Sequence, residues 1–500
     1  MPLGPVDHVP ATALPAARRS LVVDSVCASL TGAFCGGVIL SAFAIALGAN
    51  PQQIGLLAAI PFIAQLAQLP ATAIIEHVRQ RRKIGVLAVT TARLVITSLA
   101  LIPFIPDTGI GLQALVAMQI VISVFNSMGG CAINSWLHHF VPRDALGDFF
   151  SRRLVWGTAS ACIATLLVGV MVEELPLANK LHTYAISFVL GGMAGFIGIA
   201  FLARVPEPRM PPRIPGSSVM RQLWEPFADA NFRKLLLFLG SWNVASNIAA
   251  PFLTVFLIRQ LEYPLTVVTA LWVCSQVSNA FTLYAWGRVS DRLSNKAILA
   301  AALPVHFFCM FMLVFCDAVP YPALQLWMLF AIHVLMGVAG GGISLAAGNL
   351  GLRLAPQGHG TPYLAAIGLV TAFTGGVTPI VAGSLAHVFE VSELSAVLRW
   401  VHSASAHEFT VLRFAHWEFL FALSALLGLY VMHALSRVRD GDEVSERIVI
   451  QEFALEALRT AEPLTSLGGT LGAIFPFFDK LYDRIAFWHA PPSPPGTLPP

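Results

Sequence analysis

The chain has 500 residues, of which 56% are hydrophobic and only 11% charged, against about 25% charged in ordinary soluble proteins. That composition excludes a soluble globular enzyme. A net charge of +3 spread along the whole chain likewise excludes a nucleic-acid binder. The apolar residues fall in blocks of about 20, and at about 1.5 Å per residue each block spans the ~30 Å hydrocarbon core as a helix. Lipid offers the backbone no partners, so helices, which bond within the segment, are the expected elements.

The predicted spans, in chain order, cover residues 20–47, 53–75, 84–105, 110–134, 154–174, 181–203, 233–258, 265–286, 297–317, 321–348, 362–387 and 414–436. The Arg18-Arg19 pair precedes an apolar run from Leu21 to Leu47 that has no polar cleavage region, so this segment reads as a retained span and not a signal. All of the 30 Lys and Arg residues except Lys180, Arg259, Arg399, Arg413 and Arg93 lie in the tails and in alternate connections. By the positive-inside rule both termini face the cytoplasm, as an even number of spans requires, and the protein is expected in the cytoplasmic (inner) membrane as a multi-pass chain. The cysteines Cys27, Cys35, Cys131, Cys162, Cys274, Cys309 and Cys316 sit singly, without CxxC pairs, so neither a disulfide framework nor a metal site is expected.

Three features recur at an offset of about 215 residues, too long for a solenoid unit. Arg18-Arg19 before span 1 returns as Arg233-Lys234 before span 7. Glu76 with the basic run Arg79 to Lys83 returns as Asp291, Arg292 and Lys296. Asn134 to Pro142 (NSWLHHFVP) returns as Asn349 to Pro356 (NLGLRLAP). The expected fold is therefore an all-α membrane protein of two pseudo-symmetric six-helix bundles, related by an axis along the membrane normal. The expected organisation is an N-terminal tail (1–19), an N-terminal bundle (20–204), a proline-bearing linker (205–232), a C-terminal bundle (233–436) and a C-terminal tail (437–500). The tail has a mixed-charge helical stretch, an aromatic segment from Phe475 to Trp488 that is either surface-lying or loosely packed, and a proline-rich end.

Residues Gly287 to Lys296 read GRVSDRLSNK, which resembles the G-x-L-a-D-r-x-G-r-k loop of the major facilitator superfamily through Gly287, Asp291, Arg292 and Lys296. The resemblance implies a gate latch made and broken as the two bundles rock. Physically, the glycine lets helices approach and the carboxylate suits a helix N-terminus; the same residues also fit a charged turn that merely holds two helices together. The first copy departs from the pattern, with Thr72 in place of the glycine, Glu76 of the aspartate and His77 of the arginine. Span 4 lacks the arginine that many members carry, and span 5 lacks the antiporter glycine-proline signature, so no motif supports proton antiport. Trp136 to Arg153 is similar to the loop between spans 4 and 5 in a bacterial branch, which implies gating or structural roles for Trp136, Arg143 and Arg153.

Polar residues inside spans face partners or a wet cavity. Trp242, Asn243, Ser246 and Asn247 form a stripe on span 7, Gln276 and Asn279 lie on span 8, Asn126 on span 4, Gln65 on span 2 and His333 on span 10. The resemblance places these spans around a central cavity, which makes the residues candidates for solute binding; the alternative is amide bonding between helices. Asp24 in span 1 is either a proton site or an ion-pair partner for Arg93 in span 3. His306 is the weaker of two membrane histidines as a ligand, and Glu418 and His433 sit at opposite ends of span 12 as interfacial groups.

These features point to a secondary active transporter that moves a small solute by alternating access, not an enzyme. Amide stripes with Trp242 suit a neutral polar or ring-bearing solute. No GxxxxGKS loop is present, and no cofactor, metal or nucleic acid is expected. The expected partners are the solute, lipid and, as candidate coupling ion, the proton, with the chain acting as a monomer. Two alternatives stay open. One is a transport-inactive scaffold or sensor, suggested by the weakened first latch. The other is a membrane-embedded acyltransferase using His138 or His139 beside Asp144 and Asp148.

Overall fold

The structure is a computed structural model that describes residues 6, 13–137, 146–175, 180–210, 219–292, 294–356, 360–402, 405–440 and 449–453. Among these, twelve helical stretches are long and apolar enough to cross a membrane. They are Leu14–Ala46, Pro51–Val78, Arg81–Phe104, Thr108–Trp136, Arg153–Glu174, Leu181–Leu202, Ala230–Gln260, Leu265–Ser290, Asn295–Leu313, Pro322–Leu354, Pro362–Phe389 and Glu418–Ser436, here spans 1 to 12. An even number puts both ends of the chain on one face, called here the termini face; the other is the far face.

Local chemistry sets the ends and the breaks. Asn50 accepts from the Gln53 amide while Gln53 reaches back to the Asn50 N–H, a capping box that starts span 2 at Pro51. Asp229 caps span 7 by accepting from the amides of Asn231 and Phe232. Span 1 is two helices, Leu14–Cys35 and Gly37–Ala46; the break lies where Gly37 takes a left-handed φ of +53° that a side chain would disfavour. Span 7 breaks after Asn247, just before Pro251, and ends in a π turn over Phe256–Gln260.

Spans 1 to 6 pack among themselves and so do spans 7 to 12. The bundles meet mainly through two helix pairs, span 2 with span 11 and span 5 with span 8. The pairs are equivalent under the repeat, because span 8 is the second copy of span 2 and span 11 that of span 5. The repeat also reaches the chain that leaves each bundle. After span 6, Glu207 accepts from the backbone amides of Arg81 (2.8 Å) and Arg82 (3.0 Å) at the start of span 3. It also pairs with the Arg81 guanidinium at 3.2 Å, both side chains being fully buried. After span 12, buried Asp440 accepts from Ser294 Oγ (3.0 Å) and the Lys296 amide (3.3 Å) at the start of span 9 and pairs with Arg353 at 3.5 Å. Each carboxylate thus covers amides that the helix itself leaves unpaired.

Besides a short helix in the linker, Val219–Ala228, a β element lies outside the expected twelve spans. Between spans 11 and 12, β1 (Glu393–His402) and β2 (Ser405–Ala415) form an antiparallel hairpin with a register irregularity at Ala396/Val397. At its base Glu418 is buried and not interfacial. It accepts from the Ala415 amide at 2.8 Å and from Gln260 Nε2 at 3.1 Å, tying the hairpin to the end of span 7. The seven cysteines are free thiols; burial, with Glu418 and Asp317 nearby, pushes the Cys316 thiol up to about 12.

Candidate functional site

Where the bundles meet, spans 1, 5 and 8 enclose a cavity of about 260 Å³ whose wall includes Ser29, Gly36, Gly157, Thr165, Trp272 and Gln276. A second cavity of about 310 Å³, lined by Ser25, Ser29, Arg153, Leu154, Gly157 and Thr158, shares Ser29, Gly157 and Thr158 with the first. The two therefore form one path, from Gln276 midway along span 8 to Arg153 at the termini end of span 5. Small residues open the path. The break in span 1 at Gly36 and Gly37 removes side-chain bulk from one wall, and glycine at 157 lets span 5 lie directly on Ser29 of span 1.

At the far face the path is shut. Arg259 Nη2 donates to the Ala49 carbonyl at 2.8 Å, the Leu265 amide to Glu173 Oε1 at 3.1 Å and Thr266 Oγ1 to the Gly169 carbonyl at 3.1 Å, each bond joining one bundle to the other. Spans 2 and 11 touch backbone to backbone: a Cβ at Gly383 would lie 2.8 Å from the Pro51 carbonyl oxygen, and one at Gly55 3.1 Å from the Gly383 Cα. Only glycine permits this approach.

Charged side chains flank the path at its termini end. Asp24 of span 1 feels the positive charge of Arg153 most, and then that of Arg93 in span 3. Arg93 is packed on span 6, where a Cβ at Gly195 would stand 2.5 Å from its Cδ, and a Cβ at Gly198 would stand 3.3 Å from Asp24 Oδ1. Asp24 thus lies within electrostatic reach of Arg153 as well as of the expected Arg93. Arg153, expected as a gating or structural residue, lies on the cavity wall.

Of the other candidate binding residues, Gln276 lines the cavity. The span 7 stripe does not face it as a unit. The Trp242 ring stands edge-on to His306 and Phe307 of span 9, with centroids 4.9 and 5.7 Å away, so it is packed inside the second bundle. Asn243 and Asn247 donate to carbonyls one turn back in their own helix, at 2.9 Å each, which is neither solute contact nor bonding between helices. Ser246 is half-buried. Asn279 faces span 10 at Gly340. His333 is buried, with Nδ1 2.8 Å from the Leu329 carbonyl of its own helix. Gln65 is half-buried in a 3₁₀ turn of span 2, and Asn126 is exposed, both away from the lining. Sequence reasoning missed Ser25, Ser29 and Thr158, although Ser25 and Ser29 share a helix face at a spacing of four residues.

The family model of the Major Facilitator Superfamily matches residues 25–379. The chain belongs to that superfamily and is a membrane transporter. No curated protein matches it by sequence. Among solved structures, the nucleoside transporter NupG in its D323A form is 13% identical with a TM-score of 0.65, covering 84% of this chain and 99% of its own. A bacterial homologue of the iron transporter ferroportin in an inward-facing state is 14% identical with a TM-score of 0.57, over 85% and 98%. A bacterial homologue of the lysosomal transporter Spinster, inward-facing and unoccupied, is 12% identical with a TM-score of 0.55, over 90% and 97%. At these identities the likeness is one of fold.

The residues expected at the gate are placed as follows. Trp136 is fully buried and donates from Nε1 to the Pro206 carbonyl at 3.0 Å. Lys296 Nζ reaches the Ser436 carbonyl at 3.3 Å, and Asn349 Nδ2 reaches Ser290 Oγ at 3.1 Å. Gly287 has open space beside it and not a packed helix, so in this conformation its lack of a side chain serves no close contact. Glu76 is half-buried at the end of span 2. Asp291 and Arg292 close the span 8 helix, their side chains outside the description. His138, His139, Arg143 and Asp144 lie outside the described residues, and so does the side chain of Asp148.

Proposed function

We propose that this chain carries a small solute across the cytoplasmic membrane through the path between spans 1, 5 and 8, with both termini in the cytoplasm, and that the conformation described is the inward-facing one. The observation that carries this reading is a cavity walled by both bundles, shut at the far face and reaching toward the termini face. Such a cavity has a use when the bundles rock to open the far face in turn. Gln276 is the proposed solute contact from the second bundle. Trp242, Asn243, Asn247, Asn279 and His333 are proposed as packing residues, and Trp136 and Lys296 as members of the latches that hold each bundle together. The neighbours include a nucleoside transporter and a homologue of an iron transporter, so no cargo comes over with the fold.

A crosslink tests the reading without knowledge of the solute. An ideal Cβ at Gly169 stands 3.1 Å from the Thr269 Cβ, near the ~3.8 Å of a disulfide. In proteoliposomes, oxidation of the Gly169→Cys/Thr269→Cys pair should stop exchange of labelled metabolites and reduction should restore it, while wild-type protein ignores both treatments. Exchange that continues through the oxidised pair would falsify alternating access at this seam.

A further inference from the structure

The break in span 1 does more than remove side-chain bulk from the cavity wall. The helix beyond it, Gly37–Ala46, has ten residues, about 15 Å at the helical rise, so the break lies at mid-membrane depth. Non-helical backbone at that depth is tolerated where protein buries it or where it lines a water-filled cavity. Here it lines the cavity: Gly36, Gly37 and Val38 are all on the wall, and Gly37 is exposed. No side chain caps the helix that starts at Gly37. Ile39 and Leu40 donate to the Gly36 carbonyl at 3.2 and 3.3 Å, whereas the amides of Gly37 and Val38 make no hydrogen bond among the described residues. Two N–H donors at the positive end of a helix dipole therefore stand on the cavity wall.

The fold can break a span without leaving such donors. Span 7, the second copy of span 1, breaks at the equivalent place, where Pro251 answers to Gly36 at the offset of the repeat. Proline has no N–H to leave unpaired. The amides on either side of it, Ala249 and Phe252, donate to the Ser246 and Ala249 carbonyls at 3.3 and 3.0 Å, and both residues are fully buried. One break is closed on itself; the other presents unpaired amides to a cavity.

Side chains on the same wall point the same way. The Thr165 hydroxyl of span 5, and the Gln276 amide and Trp272 Nε1 of span 8, make no hydrogen bond among the described residues. Thr165 is 3% exposed. A buried helical threonine ordinarily bonds the carbonyl one turn back, as Thr31 does at 2.9 Å. A buried hydroxyl without a partner is costly, and a ligand at the site accounts for it.

Resting on the carrier reading, we infer that the break in span 1 is a binding site for the solute. The Gly37 and Val38 amides and the Thr165 hydroxyl hold an oxygen of the solute, a carbonyl or a carboxylate, carried on a flat ring that lies against Trp272. Two backbone donors and a hydroxyl call for an acceptor, and the helix dipole disfavours a cation there. Glycine at 36 and 37 lets a ring come up to the main chain, which a side chain would prevent. Trp272 supplies an aromatic face, and Gln276, which both donates and accepts, suits a polar substituent on the far side of the ring.

The test uses the full chain in detergent and reads thermal shift with three groups of probes. Benzamide, benzoate and uracil carry the oxygen on a ring; aniline and benzylamine carry a ring with donors only; acetamide and acetate carry the oxygen without a ring. At least one probe of the first group is expected to raise the melting temperature, and the other two groups are not. A preference for benzamide assigns the oxygen to a neutral solute and one for benzoate to an anion, and either supports the site. Val38→Pro removes one donor that no helical bond uses, in a first turn where proline is tolerated; it should weaken the active probe about threefold or more, while Val38→Ala does not. Thr165→Val, equal in shape, should weaken it to a similar extent and serves alone if the proline variant fails to fold. Hydrogen exchange read by mass spectrometry on the peptide holding Gly37 and Val38 should be fast in the empty protein and slowed by the active probe. Equal response to aniline, indifference to both Val38→Pro and Thr165→Val, slow exchange without probe, or no response to any ring-borne oxygen would each overturn the inference and leave the carrier reading in place. Transport through the oxidised Gly169–Thr269 crosslink would overturn the carrier reading whatever the probes do.

Discussion

Glu207 offers the clearest magnitude. Its side chain is fully buried against Arg81, also fully buried, and it accepts from two backbone amides at the start of span 3. Glu207→Ala strands a buried guanidinium and uncovers two helix-terminal donors. Loss of one partner of a buried pair costs about 3–5 kcal/mol. Arg81 keeps two carbonyl partners, Ser135 at 3.1 Å and Pro208 at 2.8 Å, which hold the expected loss near ~3 kcal/mol. Glu207→Gln keeps an amide oxygen for one backbone donor but loses the charge and the second acceptor, with an expected loss of about 1–2 kcal/mol. The assay is the melting temperature of the purified protein in one detergent, ordered wild type, then Gln, then Ala. Asp440→Ala, whose partner Arg353 is largely exposed, should cost less than Glu207→Ala, because solvent screens the stranded charge. A Glu207→Ala protein that melts with the wild type, or a larger loss at Asp440, would refute the view that these carboxylates are buried caps.

Gly55→Leu should keep spans 2 and 11 from meeting and bias the carrier away from the conformation described here, seen as faster labelling of far-face positions by an impermeant thiol reagent; unchanged labelling would contradict the close approach. Glu173→Ala, which removes the acceptor for the Leu265 amide and the partner of Lys180 at 2.8 Å, should act in the same direction but more weakly, at about 1–2 kcal/mol of bias. Trp242→Phe should leave solute affinity within twofold and lower the melting temperature through lost contact with His306 and Phe307. A large loss of affinity with unchanged stability would return the tryptophan to the cavity.

Span number, order and the repeat were legible because all three rest on coarse signals: apolar block length against bilayer thickness and basic residues in alternate connections. Predicted and observed ends agree closely at spans 5, 6 and 11, where flanking charges or prolines mark the boundary, whereas span 12 starts at Glu418 and not at 414 because the hairpin runs to Ala415. The hairpin at 393–415 was missed because the reading looked for helical blocks, although ELSAVLRWVH carries the β-branched and aromatic residues of a strand. The site was legible in part. Span membership of Gln276 and Arg153 was readable, but which face of each helix meets the cavity depends on rotation about the helix axis, which tertiary packing sets. That is why the span 7 stripe, regular in sequence, turned Trp242 into the second bundle and its asparagines onto their own backbone. Arg153 looked like a loop cation because it lies just beyond an apolar block; the helix that continues through Leu146–Glu174 brings it to the cavity wall.

The distribution of bond strength matches a protein that rocks. Within each bundle, carboxylates buried at helix starts resist separation by several kcal/mol, on the scale of a buried ion pair. Between the bundles, the far-face seal among the described residues includes three hydrogen bonds, at about 0.5–1.5 kcal/mol each, and small residues whose contact forfeits little apolar area when it opens. A seal worth a few kcal/mol leaves the alternative state populated at a level that bound solute can shift. The equivalence of the two seam pairs extends the point, since spans 2 with 11 and 5 with 8 exchange roles under the repeat. One helix geometry, used twice, closes the far face on both sides of the path, and the same equivalence lets both sides open together.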